Sequence, residues 1–69
     1  MREPALEEAI RAAGGVAALA VKIGVTSQAI SQWERVPATR VVAVEKATNG
    51  EVPRHRLRPD IFASQEAAA

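Results

Sequence analysis

Apolar positions recur along this chain at three- and four-residue spacing, the rhythm of one helix face meeting a core. After Pro4 come Leu6, Ala9, Ile10 and Ala13, and Pro4 itself suits a first helical turn because its missing N–H would find no partner there. A first helix is predicted over Pro4 to Ala13, closed by Gly14-Gly15, because glycine takes the left-handed conformation that ends a helix. Val16, Leu19, Ala20 and Ile23 form a second stripe, predicting a helix of two turns over Val16 to Lys22 that Gly24 breaks. Thr26 or Ser27 then caps a third helix, Ser27 to Arg35, with Ile30 and Trp33 three apart on its buried face. Past Pro37, the inner positions Val41, Val44 and Ala47 predict a fourth helix from Ala38 to Thr48, stopped by Asn49-Gly50. Val41, Val42 and Val44 would also suit a strand, but no second alternating segment exists to pair with it, so helix is the better reading. Pro53 and Pro59 leave room for a short helix between them, with Leu57, Ile61 and Phe62 folding back over the core. Residues 1–63 thus read as one domain and 64–69, without a large apolar anchor, as a frayed tail.

Composition narrows what this pattern can build. The chain has 69 residues and is 48% hydrophobic, mostly Ala and Val with one Phe, one Trp and no Tyr, so a small core must be assembled from small pieces by closely packed helices. Without cysteine there are no disulfides, no thiolate chemistry and no cysteine-held zinc; His55 is the only histidine and has no second ligand of its kind. No stretch approaches the roughly 20 apolar residues of a membrane helix, and Met1-Arg2-Glu3-Pro4 leads into Glu7 and Glu8 instead of a signal-peptide core, so a cytoplasmic protein is expected. The net charge of +1 is weaker evidence for nucleic acid than a strongly basic chain would give. The charge is unevenly spread, however, with Glu3, Glu7 and Glu8 early and Arg54, Arg56 and Arg58 late. That late cluster fits a local positive field and a merely solvated face equally well.

The segment from Val16 to Arg35 is the informative one. Two short helices crossing at a steep angle need a small residue where they touch, a glycine in the turn, and apolar residues that lock both to the rest. Ala20, Gly24, and the set Leu19, Ile23, Val25, Ile30 and Trp33 meet these needs in register, which is the pattern of a helix-turn-helix. With Ile30 and Trp33 turned inward, Ser27, Gln28, Ser31, Gln32 and Arg35 face out, and Thr26 stands at the helix start. Gln can bond an adenine edge in two places, Ser can donate or accept, and Arg can pair with guanine or phosphate.

This unit resembles the helix-turn-helix of phage Cro and repressor proteins. Gly14-Gly15, Leu19-Ala20, Ile23-Gly24-Val25-Thr26, Ile30-Ser31-Gln32-Trp33, Val36-Pro37-Ala38 and Leu57-Arg58-Pro59-Asp60-Ile61-Phe62 resemble, more narrowly, the Cro-like YdaS family of bacterial and prophage regulators. The resemblance implies an all-α, compact five-helix, lambda-repressor-like domain that binds a DNA operator, with repression as the usual outcome. It also implies Ser27, Gln28 and Gln32 as base readers, and Thr26 and Ser31 close to the sugar-phosphate backbone. Phosphate contacts fix orientation and supply much of the affinity. The amides near Gly15 and Val16, together with Lys22, Arg35 and Arg40, are candidates for them. Lys46 fits either a phosphate contact or a pair with a neighbouring acid, and Lys22 either a phosphate contact or a solvated helix face.

Trp33 could stack on a base, but its spacing from Ile30 points to the core. Glu7 and Glu8 are adjacent and point apart on a helix, no nucleophile has a base beside it, and no glycine-rich loop cradles a phosphate. Neither an enzyme nor a cofactor is expected. One such unit contacts few bases, so two copies on a palindrome are expected, pairing as a homodimer in solution or only on DNA. An antitoxin or protein-interaction module that keeps the helix-turn-helix as a scaffold, with a toxin as partner, is the alternative reading, favoured by the near-neutral charge.

Overall fold

The computed structural model describes residues 3–62, and every regular element among them is helical. The first helix, α1 (Pro4–Ala13), opens on its proline and buries Ala5, Leu6, Ala9, Ile10 and Ala13. Gly14 closes it at φ +104°, where the N–H groups of Gly14 and Gly15 return to the carbonyls of Arg11 (3.1 Å) and Ile10 (2.8 Å). A residue with a Cβ would be strained in that conformation. The second helix, α2 (Val16–Ile23), runs one residue beyond the expected end at Lys22 and is closed in the same way, by Gly24 at φ +76°. Here Gly24 and Val25 both donate to the Ala20 carbonyl, at 2.9 and 3.0 Å.

The third helix, α3 (Ser27–Ser31), stops well short of the expected Arg35. The Gln32 N–H is shared between the carbonyls of Gln28 (3.3 Å) and Ala29 (3.2 Å), and Trp33 donates to Ile30 at 3.0 Å, the tightened bonds of a helix that is ending. Val36 supplies the reason. A continued helix would carry it roughly 120° around the axis from Ile30, and Pro37 disfavours helical backbone in the residue before it. Leaving the helix lets Val36 enter the core, where it is fully buried.

A single 3-10 turn (Ala38–Arg40) leads into the fourth helix, α4 (Val41–Ala47), so the expected helix over Ala38 to Thr48 forms in two pieces. Val41 and Val44 are buried and Val42 is exposed, as a helix and not a strand requires. Asn49 at φ +56° and Gly50 at φ +81° end it. Thr48 is buried with both its needs met, donating from Oγ1 to the Glu45 carbonyl (2.9 Å) and accepting from the Val52 N–H (3.2 Å).

Where one short helix was expected the chain forms two, α5 (Arg54–Leu57) and α6 (Pro59–Phe62), because Pro59 can begin a helix as Pro4 does. Six α-helices therefore stand among the described residues instead of five, in the expected all-α arrangement. Leu57 is buried and Phe62 leans on the core, but Ile61 is 44% exposed. Neighbouring positions on a helix point about 100° apart, so Ile61 and Phe62 cannot both cover the core. Leu6, Leu19, Ile30, Val36, Val41, Val44 and Val52 form its centre, each contributing about 1.5–3 kcal/mol on burial. The expected tail, 64–69, lies outside the described residues.

Candidate nucleic-acid interface

Gly24, Val25 and Thr26 join α2 to α3, the two helices pack on each other, and the small Ala20 is buried. The turn hands α3 a ready cap: Thr26 Oγ1 accepts the Ala29 N–H at 3.0 Å. Ile30 is the buried residue of α3, fully enclosed, and it pins the helix to the core. Ser27, Gln28, Ser31 and Gln32 are all exposed. The side chains of Ser27, Gln28 and Gln32 hold no hydrogen bond to another described residue, so their donors and acceptors are unspent. Thr26 is exposed too, and after capping it still has its O–H to donate.

The candidate phosphate contacts are placed less uniformly. Gly15 has its own N–H committed to Ile10, but no side chain caps α2, so the first amides of that helix, beginning with Val16, are left for solvent or an anion. Lys22 reaches back to α1, its Nζ donating to the Ala13 carbonyl at 3.1 Å. This is a cation satisfying the negative end of a helix. Arg35 lies beyond the end of α3, its Nη1 3.9 Å from Asp60 Oδ2. Arg40, on the 3-10 turn, is exposed and has no ion pair among the described residues, and Lys46 is likewise exposed on α4. Lys22, Lys46 and Asn49 line one shallow cavity between the end of α2 and α4.

Trp33 is half-buried, packed against the core on one side as expected and lining a surface cavity with Glu3, Glu34 and Arg35 on the other, so the core does not enclose it. The early end of helix α3 explains this, since Trp33 now sits on the closing turn. A bond from the Glu3 N–H to the Glu34 carbonyl (2.7 Å) ties this turn to the start of α1.

The late arginines are not a free positive field. Arg54 meets Glu45 through Nε (2.9 Å) and Nη2 (2.9 Å), while its backbone N–H donates to the other Glu45 oxygen at 3.2 Å, docking α5 on α4. Arg56 pairs with Glu8 of α1. Arg58 holds Asp60 in a two-pronged pair, Nε to Oδ1 at 2.9 Å and Nη2 to Oδ2 at 2.7 Å, and donates from Nη1 to the Val36 carbonyl at 3.0 Å. The Arg58 guanidinium, with a smaller contribution from Arg35, lowers the Asp60 carboxyl to about 2. Sequence reasoning singled out this segment by resemblance but placed Arg58 only in a positive or solvated cluster and assigned Asp60 no role. Their adjacency in the Leu57–Phe62 motif was the available signal.

A glycine-broken pair of short helices, the second presenting unspent polar groups on a core of short helices, defines the class: a Cro-like helix-turn-helix domain. The solved structure of the "Cro protein from putative prophage element Xfaso 1 in Xylella fastidiosa strain Ann-1" superposes with a TM-score of 0.82 at 46% identity, covering 87% of this chain and 97% of that one. Residues 6–66 match the family described as "Bacterial toxin YdaS", and the chain belongs to the YdaS family. It is also 41% identical over 59 residues to an Escherichia coli (strain K12) protein described as "Putative transcriptional regulator YdaS". That alignment takes in 80% of this chain and 60% of the relative, so the chain spans less than two thirds of the relative's length. No helix among the described residues is long and apolar enough to cross a membrane, and they contain no cluster of His, Cys, Asp and Glu fit to hold a metal ion.

Proposed function

We propose that this chain is a cytoplasmic, non-catalytic transcriptional regulator that occupies a palindromic DNA operator as a Cro-like repressor, with α3 in the major groove. The observation that carries this reading is the division of α3, in which Ile30 anchors the helix while Ser27, Gln28 and Gln32 stand exposed with their hydrogen bonds unspent. Unspent donors and acceptors on a rigidly held helix suit base edges, whose pattern distinguishes all four base pairs in the major groove. Ser27, Gln28 and Gln32 read bases in this proposal, and Thr26 and Ser31 lie near the sugar-phosphate backbone. The uncapped start of α2 at Gly15 and Val16, together with Arg35 and Arg40, meets phosphates. Lys22 is the weakest of these candidates, since its ammonium already serves the end of α1. Two copies bind half-sites about 34 Å apart, one turn of duplex.

A second reading, an antitoxin or protein-interaction module on the same scaffold, draws on the family's description as a toxin and on the pairing of Arg54, Arg56 and Arg58, which leaves little free positive charge in that region. Selection from a randomised duplex library at two salt concentrations separates the two. A recurring palindrome, bound more weakly as salt rises because counterion release is less favourable, is the expected result. Recovery of no motif at either salt would overturn specific duplex recognition by the chain alone and favour a protein partner.

A further inference from the structure

The Leu57–Phe62 motif lies outside the helix-turn-helix, yet it is joined to the stretch that follows α3. The Arg58 side chain is only 12% exposed and uses all three of its nitrogens: Nη1 on the Val36 carbonyl, Nε and Nη2 on the two oxygens of Asp60. Val36 is fully buried, so its carbonyl marks where the turn after α3 is fastened to the core. One residue before it, the Arg35 Nη1 stands 3.9 Å from Asp60 Oδ2, the oxygen that Arg58 Nη2 also holds, with both side chains about half exposed. One carboxylate therefore serves two arginines, a nearly buried one that fastens the turn and an exposed one beside the polar face of α3.

We propose that Arg58 and Asp60 form a positioning latch for DNA binding, in which Arg58 fixes the turn that carries Arg35 and Asp60 competes with a DNA phosphate for the Arg35 guanidinium. The proposal rests on the DNA-binding reading above and deepens it. Asp60 restrains Arg35 in the free protein, and a phosphate, which carries the same single charge but belongs to a dense line of charges whose counterions are released on contact, takes Arg35 over on the duplex. The latch thus lowers affinity for arbitrary DNA while keeping the arginine close to its working position.

The test is a double-mutant cycle on the intact chain, with D60N, R35Q, D60N/R35Q and, as a control, E34Q, which removes an acid from the same turn that is not paired with Arg35. Binding to a duplex of arbitrary sequence is measured at low salt, and thermal melting verifies that each variant folds. Exposed pairs of this kind are worth up to about 1 kcal/mol, so D60N is expected to bind about two- to five-fold more tightly than the parent. That gain should vanish when Arg35 is already replaced, and E34Q should give no gain that depends on Arg35. An equal gain from D60N with and without Arg35 would reduce the effect to general charge repulsion and overturn the latch, as would no gain at all. Failure of the parent chain to bind any duplex would instead overturn the functional reading on which the latch rests, and the competition with it. If D60N proves unfolded, the Arg35 Nε–H resonance in the parent chain serves in its place: it should move on duplex addition while Arg58 Nε–H stays protected, and an unmoved Arg35 would overturn the proposal.

Discussion

On α3, Ser27, Gln28 and Gln32 stand exposed with no partner among the described residues, whereas Arg54, Arg56 and Arg58 are each tied to a carboxylate on α4, α1 or α6. The more strongly charged region is the internally satisfied one, and the nearly uncharged helix is the one with hydrogen bonds to offer. A count of basic residues alone would choose the end of the molecule whose charges are already paired. Charge already spent inside the fold is not available to a partner, and the proposal for α3 rests on that difference.

The sharpest way to break this comparison is to remove the unspent groups. Gln28→Ala with Gln32→Ala should lower operator affinity at least about tenfold, since a well-placed bidentate base contact is worth about 1–3 kcal/mol. Stability should stay within about 0.5 kcal/mol of the parent, because both side chains are exposed and hold no hydrogen bond to another described residue. Fluorescence anisotropy on the selected operator and a urea melt provide the two readings.

The opposite behaviour is expected in the satisfied region. Arg54→Ala should cost about 1–2 kcal/mol in a urea melt, because the pair with Glu45 is only 31% and 19% exposed and leaves a partly buried carboxylate behind. Arg56→Ala, whose pair with Glu8 is 45% and 47% exposed, should cost no more than a few tenths of a kcal/mol. Neither should alter which operator sequence is chosen.

Between these lies Thr26→Ala, which removes the α3 cap without touching a proposed base reader. A loss of about 1 kcal/mol is expected, with faster amide exchange at Ala29 than in the parent. The last effect is read in acid and belongs to Asp60. Its carboxyl titrates at about 2 when folded against an ordinary 3.8, so its contribution is complete above the upper value and is lost as pH falls toward the lower one. The acid limb of the stability curve should therefore flatten in Asp60→Asn over that window, and by less in concentrated salt, which screens the exposed pair.

Local signals were legible in the sequence where they settle local structure. Helix α1 has its expected bounds and α2 exceeds its own by one residue, because Pro4, Gly14 and Gly24 act on their immediate neighbours. Helix α3 was overextended because periodicity around Ile30 and Trp33 contains nothing about the demand of Val36 for the core. Ile61 and Phe62 look alike as apolar residues, and only the position of α6 decides which one is covered. The outward face of α3 followed from the helical period once Ile30 was placed inside. The commitments of Gly15, Lys22 and Arg35 did not, since each depends on a partner brought close by folding: Ile10, Ala13 and Asp60. Glu45 with Arg54, and Glu8 with Arg56, are invisible to any reading that moves along the chain one helix at a time.

The half-buried position of Trp33 has an optical consequence. It is the only tryptophan, and with no tyrosine in the chain its emission is free of any second strong fluorophore. One side of the indole meets the core and the other lies beside Arg35 at the end of α3. Its emission wavelength should therefore move toward the red when the core opens, and its intensity should change when a duplex settles against that end of the helix. Unfolding and docking can then be followed separately, by colour and by brightness, in the unlabelled native chain.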